Sequence, residues 1–203
     1  MSASRIVLAS RSPRRADLLR MLGLTFETIP ADIDETYRAG ERPGPHAERL
    51  ARGKAQAIAA RESDAVIIGS DTVVILDGAV LGKPRSQDEA VHMLMQLQGR
   101  EHEVATGIAV CAEGALRSGV ERVRVRFRPF AEDTAAAYAA TGEPMDKAGA
   151  YGIQGYGATL VERIEGDFFA VMGLPICRMI ELLESAGLVY DFRRLAPTGR
   201  KPA

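Results

Sequence analysis

The 203-residue sequence predicts an α/β fold whose sheet mixes parallel and antiparallel strands and is flanked by helices. Short apolar runs rich in Val and Ile alternate with stretches whose apolar residues recur every three or four positions, the alternation of strands with amphipathic helices. Asp77-Gly78 separates two apolar runs and signals a tight hairpin, which brings antiparallel pairing into the sheet. Hydrophobic residues make up 46% and charged residues 26%, ordinary for a globular chain of one domain or two closely fused lobes.

Taken in order, residues 5–9 read as a short buried strand, followed by Ser12-Pro13, an N-cap with proline at the first helical position. The helix carries Arg15, Leu18, Leu19 and Leu22 on one stripe and stops at Gly23. Residues 25–29 suit a second strand, and 30–44, rich in Pro, Gly and acids, a loop. Ala47, Leu50, Ala51, Ala55 and Ile58 mark a helix over about 45–61. Strand-like runs at 65–68 and 72–76 lead to the Asp77-Gly78 turn and a return strand at 79–81. Ser86 with Glu89 forms a capping-box pattern ahead of a helix bearing Ala90, Met93, Leu94 and Leu97. Two long strands at about 102–112 and 116–127 meet at Glu113-Gly114. A helix at about 132–140, an irregular Gly-rich segment at 149–157, a strand at 158–164 and a helix from Pro175 to near Gly187 complete the pattern. Residues 1–190 are expected to be one domain, and 191–203 a fraying tail.

Composition narrows the function classes. The formal net charge is -1 with both signs dispersed, which argues against a nucleic-acid-coating protein. Cys111 and Cys177 form no CxxC spacing, and His46, His92 and His102 are scattered, so neither a disulfide framework nor a His/Cys zinc site is indicated. No apolar run approaches the roughly 20 residues that span a bilayer, and the N-terminus lacks the apolar core of a signal peptide. A soluble, cytoplasmic protein with no membrane partner is expected.

Four segments could carry chemistry. Ser10-Arg11-Ser12-Pro13-Arg14-Arg15 places Arg14 and Arg15 in a first helical turn, where the helix dipole favours anions; a bound polyanion would reverse that conflict, and a solvated basic turn is the plain alternative. Asp71, in Gly69-Ser70-Asp71-Thr72 between apolar strand segments, must be paired, metal-bound or at a strand end facing a cleft. Each suits a general base or metal ligand, though a structural Asp capping a bend is also possible. Lys54 lies on the apolar line of Leu50 and Ile58, where lysine stems often snorkel. Lys83 precedes the Ser86 cap. The glycines of Asp146 to Gly155 allow close backbone approach to a ligand, and Gln154 offers both donor and acceptor to a base edge. Acids of the loop after the second strand, Asp32, Asp34 and Glu35, are by default solvated. Arg122, Arg124, Arg126 and Arg128 alternate with apolar residues, the wet face of an antiparallel strand.

Together, Leu8-Ala9-Ser10-Arg11-Ser12-Pro13-Arg14-Arg15, Ser70-Asp71-Thr72, Gly82-Lys83-Pro84, Asp146 to Gly155 and Gly173-Leu174-Pro175 resemble the motifs of the Maf family of nucleotide pyrophosphatases, in family order over about residues 5–187. The resemblance implies two lobes around a central cleft, a homodimer, and Mg²⁺- or Mn²⁺-dependent hydrolysis of nucleoside triphosphates to monophosphate and pyrophosphate. It implies Asp71 as proton acceptor, with Asp71 and Glu35 as metal ligands. Ser10, Arg15, Glu35, Lys54 and Lys83 match cleft positions, Glu35 being the loosest match. Arg14, Thr72 and Gln154 match positions that separate substrate branches and resemble the branch acting on dTTP and UTP. A 7-methyl-GTP pyrophosphatase of the same family, or a non-catalytic regulator of septum formation, are the alternatives.

Overall fold

The computed structural model describes residues 4–192 and 194–198. In chain order the elements are β1 (Ile6–Leu8), α1 (Pro13–Met21), β2 (Glu27–Thr28), α2 (Pro43–Ala59), β3 (Val66–Leu76), β4 (Ala79–Leu81) and α3 (Gln87–Leu97). They continue with β5 (Glu101–Ala112), β6 (Ala115–Phe127), α4 (Glu132–Ala140), β7 (Val161–Glu165), α5 (Phe168–Met172), α6 (Ile176–Ser185), β8 (Leu188–Tyr190) and β9 (Leu195–Pro197). Hydrogen bonding orders the main sheet β2-β1-β3-β5-β6-β7, with β4 also on β3. β1 pairs in parallel with β2 and β3, whereas β3–β4 and β6–β7 are antiparallel, so the sheet is mixed as expected.

The chain divides into two compact units, the first comprising residues up to 71, 106–121 and from 173 on, the second 72–105 and 122–172. Each has its own apolar core. The first packs Val7, Ala9 and Ile67 of the sheet with Ala109 and Cys111 of β5 and the α2 residues Ala51, Ala55 and Ile58. The second packs Leu94 and Leu97 of α3, Val123, Val125 and Phe127 of β6, and Ala135 and Tyr138 of α4. Each fully buried branched or aromatic side chain contributes about 1.5–3 kcal/mol. The α3 stripe read from periodicity is the buried one: Ala90, Met93, Leu94 and Leu97.

Local signals largely hold. Ser86 Oγ accepts from Glu89 N at 3.1 Å, but Glu89 Oε2 reaches back to the amide of Arg85 rather than to that of Ser86. Asp77 and Gly78 both have positive φ, as a two-residue hairpin demands. On β6, Val123, Val125 and Phe127 are buried while Arg122, Arg124 and Arg126 point outward and pair with Glu103, Glu165 and Glu162.

Several boundaries differ. Ser12 occupies the N-cap of α1 without a side-chain capping bond; its own amide instead donates to Ser10 Oγ. The run at 72–76 continues the one at 65–68 as expected, with Ser70 and Asp71 extended within β3. The second strand shrinks to Glu27–Thr28, and residues 155–160 form a 3₁₀ turn ahead of β7. In the stretch expected to fray, Leu195–Pro197 pairs with Leu188–Tyr190, and Tyr190 Oη donates to Leu22 O. Residues 193 and 199–203 of that stretch lie outside the described residues.

Candidate active site

Small residues set the geometry of the first unit. Ala47, Ala51 and Ala55 give α2 a face without bulk, and opposite it β3 has Gly69. A Cβ on Gly69 would lie 2.4 Å from Ala51 O and 2.9 Å from Ala55 N, so helix and strand backbones are in direct contact there. Lys54 stands between those two alanines, and Asp71 lies two residues beyond Gly69 on the same side of the pleat. The close approach brings them together: Lys54 Nζ donates to Asp71 Oδ1 at 2.7 Å. The same ammonium lies 2.7 Å from Glu35 Oε1, supplied by the loop after β2. Lys54 and Asp71 are largely shielded, with 11% and 13% of their side chains exposed, whereas Glu35 is 58% exposed.

Arg15 of α1 closes the other flank. Its Nε donates to Gly173 O at 2.8 Å and its Nη1 to Ser70 O at 2.7 Å and Ser10 Oγ at 3.1 Å. Desolvation pulls the Arg15 pKa down; the carboxylates of Asp71 and Glu35 oppose that and Arg14 adds to it, so this guanidinium senses the acid pair. Ser70, fully buried, has Oγ 2.8 Å from both Gly107 O and Gly173 O; its single proton serves one carbonyl at a time. Ser10, Arg15 and Ser70 therefore bind the end of β1, the middle of β3 and of β5, and the turn before α6 into one frame beside Asp71. The conflict of Arg14 and Arg15 with the helix dipole is accordingly met in part by protein carbonyls rather than by an anion.

Several contributors carry no signal in the sequence. Glu41 receives Arg49 through Nε at 2.6 Å and Nη2 at 2.8 Å, and His46 Nδ1 lies 2.8 Å away. Arg49, first among its partners, holds the Glu41 carboxyl well below the usual carboxylate range. Arg49 also donates to Thr36 O at 3.0 Å, which fixes the loop beside Glu35. Tyr37 stacks on the buried His46 ring at 3.5 Å between centroids. Burial, with the negative charges of Glu41 and Asp71, pushes its phenol up to about 12. Glu41 lies in the loop before α2, whereas His46 and Arg49 are one turn apart on that helix, so no helix or strand spacing links the acid to its two partners. Asp32 and Asp34 are exposed, and Asp34 Oδ1 accepts from Thr36 N in a local turn, the solvated role expected of them.

The remaining expected residues belong to the second unit. Thr72 continues β3 directly from Asp71 and is half-buried. Lys83 is exposed in the segment after β4, and Gln154 is exposed at the start of the 3₁₀ turn Gly155–Leu160. Gly149 N donates to Gly82 O at 3.0 Å, which ties the Gly82-Lys83 segment to the loop that carries Gln154. By unit, Ser10, Arg14, Arg15, Glu35, Lys54 and Asp71 fall in the first, and Thr72, Lys83 and Gln154 in the second.

Among the described residues no group of three or more His, Cys, Asp or Glu side chains is gathered to hold a metal ion. The donors do suit a hard cation shared with a substrate: Mg²⁺ typically takes one or two carboxylates plus phosphate oxygens, and Asp71 and Glu35 meet on one ammonium.

The profile of the Maf-like protein family fits residues 5–186, a range that includes all of these residues. The chain belongs to the Maf family. This Maf-like protein is 48% identical over 190 residues to a dTTP/UTP pyrophosphatase of Methylobacillus flagellatus, covering 93% of this chain and 96% of that one. It is 50% identical over 187 residues to a dTTP/UTP pyrophosphatase of Moorella thermoacetica, covering 91% and 96%. A solved structure, a HAM1 protein from Coxiella burnetii, is a looser likeness, with a TM-score of 0.43 and 20% identity over 61% of the Maf-like chain and 73% of its own. Among the described residues no helix is long and apolar enough to cross a membrane.

Proposed function

We propose that this Maf-like protein hydrolyses dTTP and UTP to the nucleoside monophosphate and pyrophosphate, with Asp71 as the base. The observation that carries the reading is Lys54 Nζ held between Asp71 and Glu35 on the Arg15–Ser70 frame. Near-full-length identity of 48–50% to proteins named dTTP/UTP pyrophosphatase supports the substrate class.

The chemistry follows from the charges. In the resting geometry Asp71 Oδ1 is occupied by the Lys54 ammonium. An incoming triphosphate offers Lys54 a richer anion, so the ammonium turns toward phosphate oxygens and Asp71 takes up a water. The water oxygen bonds to the α-phosphorus, the bond from that phosphorus to the α–β bridging oxygen breaks, and the water proton passes to Asp71. Arg14, Arg15, Lys54 and Lys83 hold the polyphosphate and offset charge that develops on pyrophosphate, where positioning and electrostatics do most of the catalysis. Ser10 keeps Arg15 in place. Asp71 and Glu35 would hold a divalent cation, Mg²⁺ or Mn²⁺, which when bound screens the phosphate charge. Thr72 and Gln154 read the imide edge of thymine or uracil. A homodimer working in the cytoplasm belongs to the same proposal.

Replacing Asp71 by Asn in a pyrophosphate-release assay on dTTP tests the reading. Turnover should fall by about two orders of magnitude or more, in the range typical of lost general-base catalysis. Near-wild-type turnover removes Asp71 from the chemistry.

A further inference from the structure

The proposed reading leaves Gln154 on an exposed, Gly-rich segment, which by itself would present the amide in many conformations. That segment has an anchor which the reading does not use. Glu143, in the turn after α4, sends its carboxylate back under residues 152–157. Tyr156 N donates to its Oε2 at 2.9 Å and Gly157 N to its Oε1 at 3.1 Å. Tyr138 Oη of α4 donates to the same Oε1 at 2.8 Å and accepts from Gly152 N at 3.0 Å. The two residues therefore grip the segment on both sides of Gln154, at Gly152 and at Tyr156-Gly157.

The sequence is shaped to this carboxylate. Gly155 has φ +68, and a Cβ on it would lie 2.5 Å from Glu143 Oε2, so position 155 must lack a side chain for the segment to close. Glu143 is itself held: its backbone carbonyl accepts from Lys147 Nζ and its amide donates to Thr141 Oγ1 at 3.2 Å. Burial alone would raise its pKa, but the Tyr156 and Gly157 amides and the Tyr138 hydroxyl outweigh this and keep it below the ordinary value, so the acceptor is ionised at neutral pH. A carboxylate that takes two backbone N–H groups and a hydroxyl is a stiff fastening, because charge-assisted bonds are about twice as strong as neutral ones.

We propose that Glu143, seconded by Tyr138, is a specificity-positioning residue: it fixes the Gly152–Gly157 segment so that Gln154 meets the nucleobase in one conformation. This rests on the reading of Gln154 as the base reader. The Glu143→Gln change is nearly isosteric but sets an amide N–H₂ against a backbone N–H, and Tyr138→Phe removes only the bridging hydroxyl.

The test compares kcat/KM for dTTP with kcat/KM for dATP and dGTP in Glu143→Gln, Tyr138→Phe, Gln154→Ala and the double variant Glu143→Gln with Gln154→Ala. Glu143→Gln should lower the dTTP preference by roughly tenfold, mainly through KM, and Tyr138→Phe by a few-fold. Adding Glu143→Gln to Gln154→Ala should lower it no further, since both act through one contact. If Gln154→Ala erodes the preference while Glu143→Gln and Tyr138→Phe leave it intact, or slow every nucleotide equally, the positioning role is overturned. An unchanged preference in Gln154→Ala overturns the base-reading assignment instead. Should Glu143→Gln fail to fold, Tyr138→Phe with Gln154→Ala decides the same question.

Discussion

Lys54 and Asp71 are joined by a 2.7 Å bond between α2 and β3, and the same ammonium also lies 2.7 Å from Glu35. One cation thus serves two acids, a largely shielded Asp71 and a more exposed Glu35.

Lys54→Met should therefore affect stability and chemistry together. Taking the ammonium from a carboxylate where water is largely excluded is costly, and the residual exposure of Asp71 moderates that cost to about 1–3 kcal/mol. A lower urea midpoint with an unchanged slope would register it. Turnover of dTTP should fall by about 100-fold or more, as for other losses of charge stabilisation. If turnover persists, Lys54 is only a structural partner of the acids.

Gly69→Ala should act through packing alone. The added methyl would meet Ala51 O at 2.4 Å, and neither backbone can yield without shifting α2 on β3. A destabilisation of about 1–3 kcal/mol is expected, typical of overpacking, which lowers Tm by several degrees in a chain of this size. Activity should fall as well, because the same shift parts Lys54 from Asp71. A thermal scan that matches wild type would contradict the direct backbone contact.

Arg15→Lys should show that a single positive charge is not enough. The guanidinium serves Gly173 O, Ser70 O and Ser10 Oγ at once, whereas an ammonium on a flexible stem cannot reproduce that fork. A drop in kcat/KM of at least roughly tenfold at nearly unchanged charge is expected. Wild-type kinetics in this variant would mean that the carbonyl contacts have no role in holding the site.

His102 supplies a pH dependence of stability. It is buried against Tyr151, with Nε2 2.8 Å from Tyr151 Oη, and its Nδ1 has no hydrogen-bond partner among the described residues. An unmet acceptor is the cheaper arrangement, which places the proton on Nε2. Burial pulls its pKa from 6.5 down to about 4. The folded state therefore binds fewer protons than the unfolded chain between those values, and stability is full above pH 6.5 and declines as pH falls toward 4. The group's share of the loss is on the order of 2–3 kcal/mol. Tm measured from pH 7.5 to 4 should decline less steeply in His102→Gln than in wild type, and parallel curves would exclude His102 as the titrating group.

The sequence alone determined most of the helices and longer strands and pointed to the candidate charges, because those depend on local physics, while α5, β8 and β9 went unread. Periodicity found the α3 stripe, Asp77-Gly78 found its hairpin, and Arg14, Arg15, Lys54 and Asp71 were visible as charges at odds with their surroundings. Tertiary structure alone decided which of these charges meet. The Lys54–Asp71–Glu35 bridge depends on α2 lying against Gly69, and the Glu41–Arg49 fastening of the Glu35 loop joins residues with no shared period. The grip of Glu143 on residues 152–157 was likewise invisible, since nothing in a turn's composition tells which backbone amides its carboxylate will receive. Spacing along a chain reports which face a residue occupies, whereas an ion pair or an amide–carboxylate bond depends on distances of a few ångströms that only the packing of separate segments fixes.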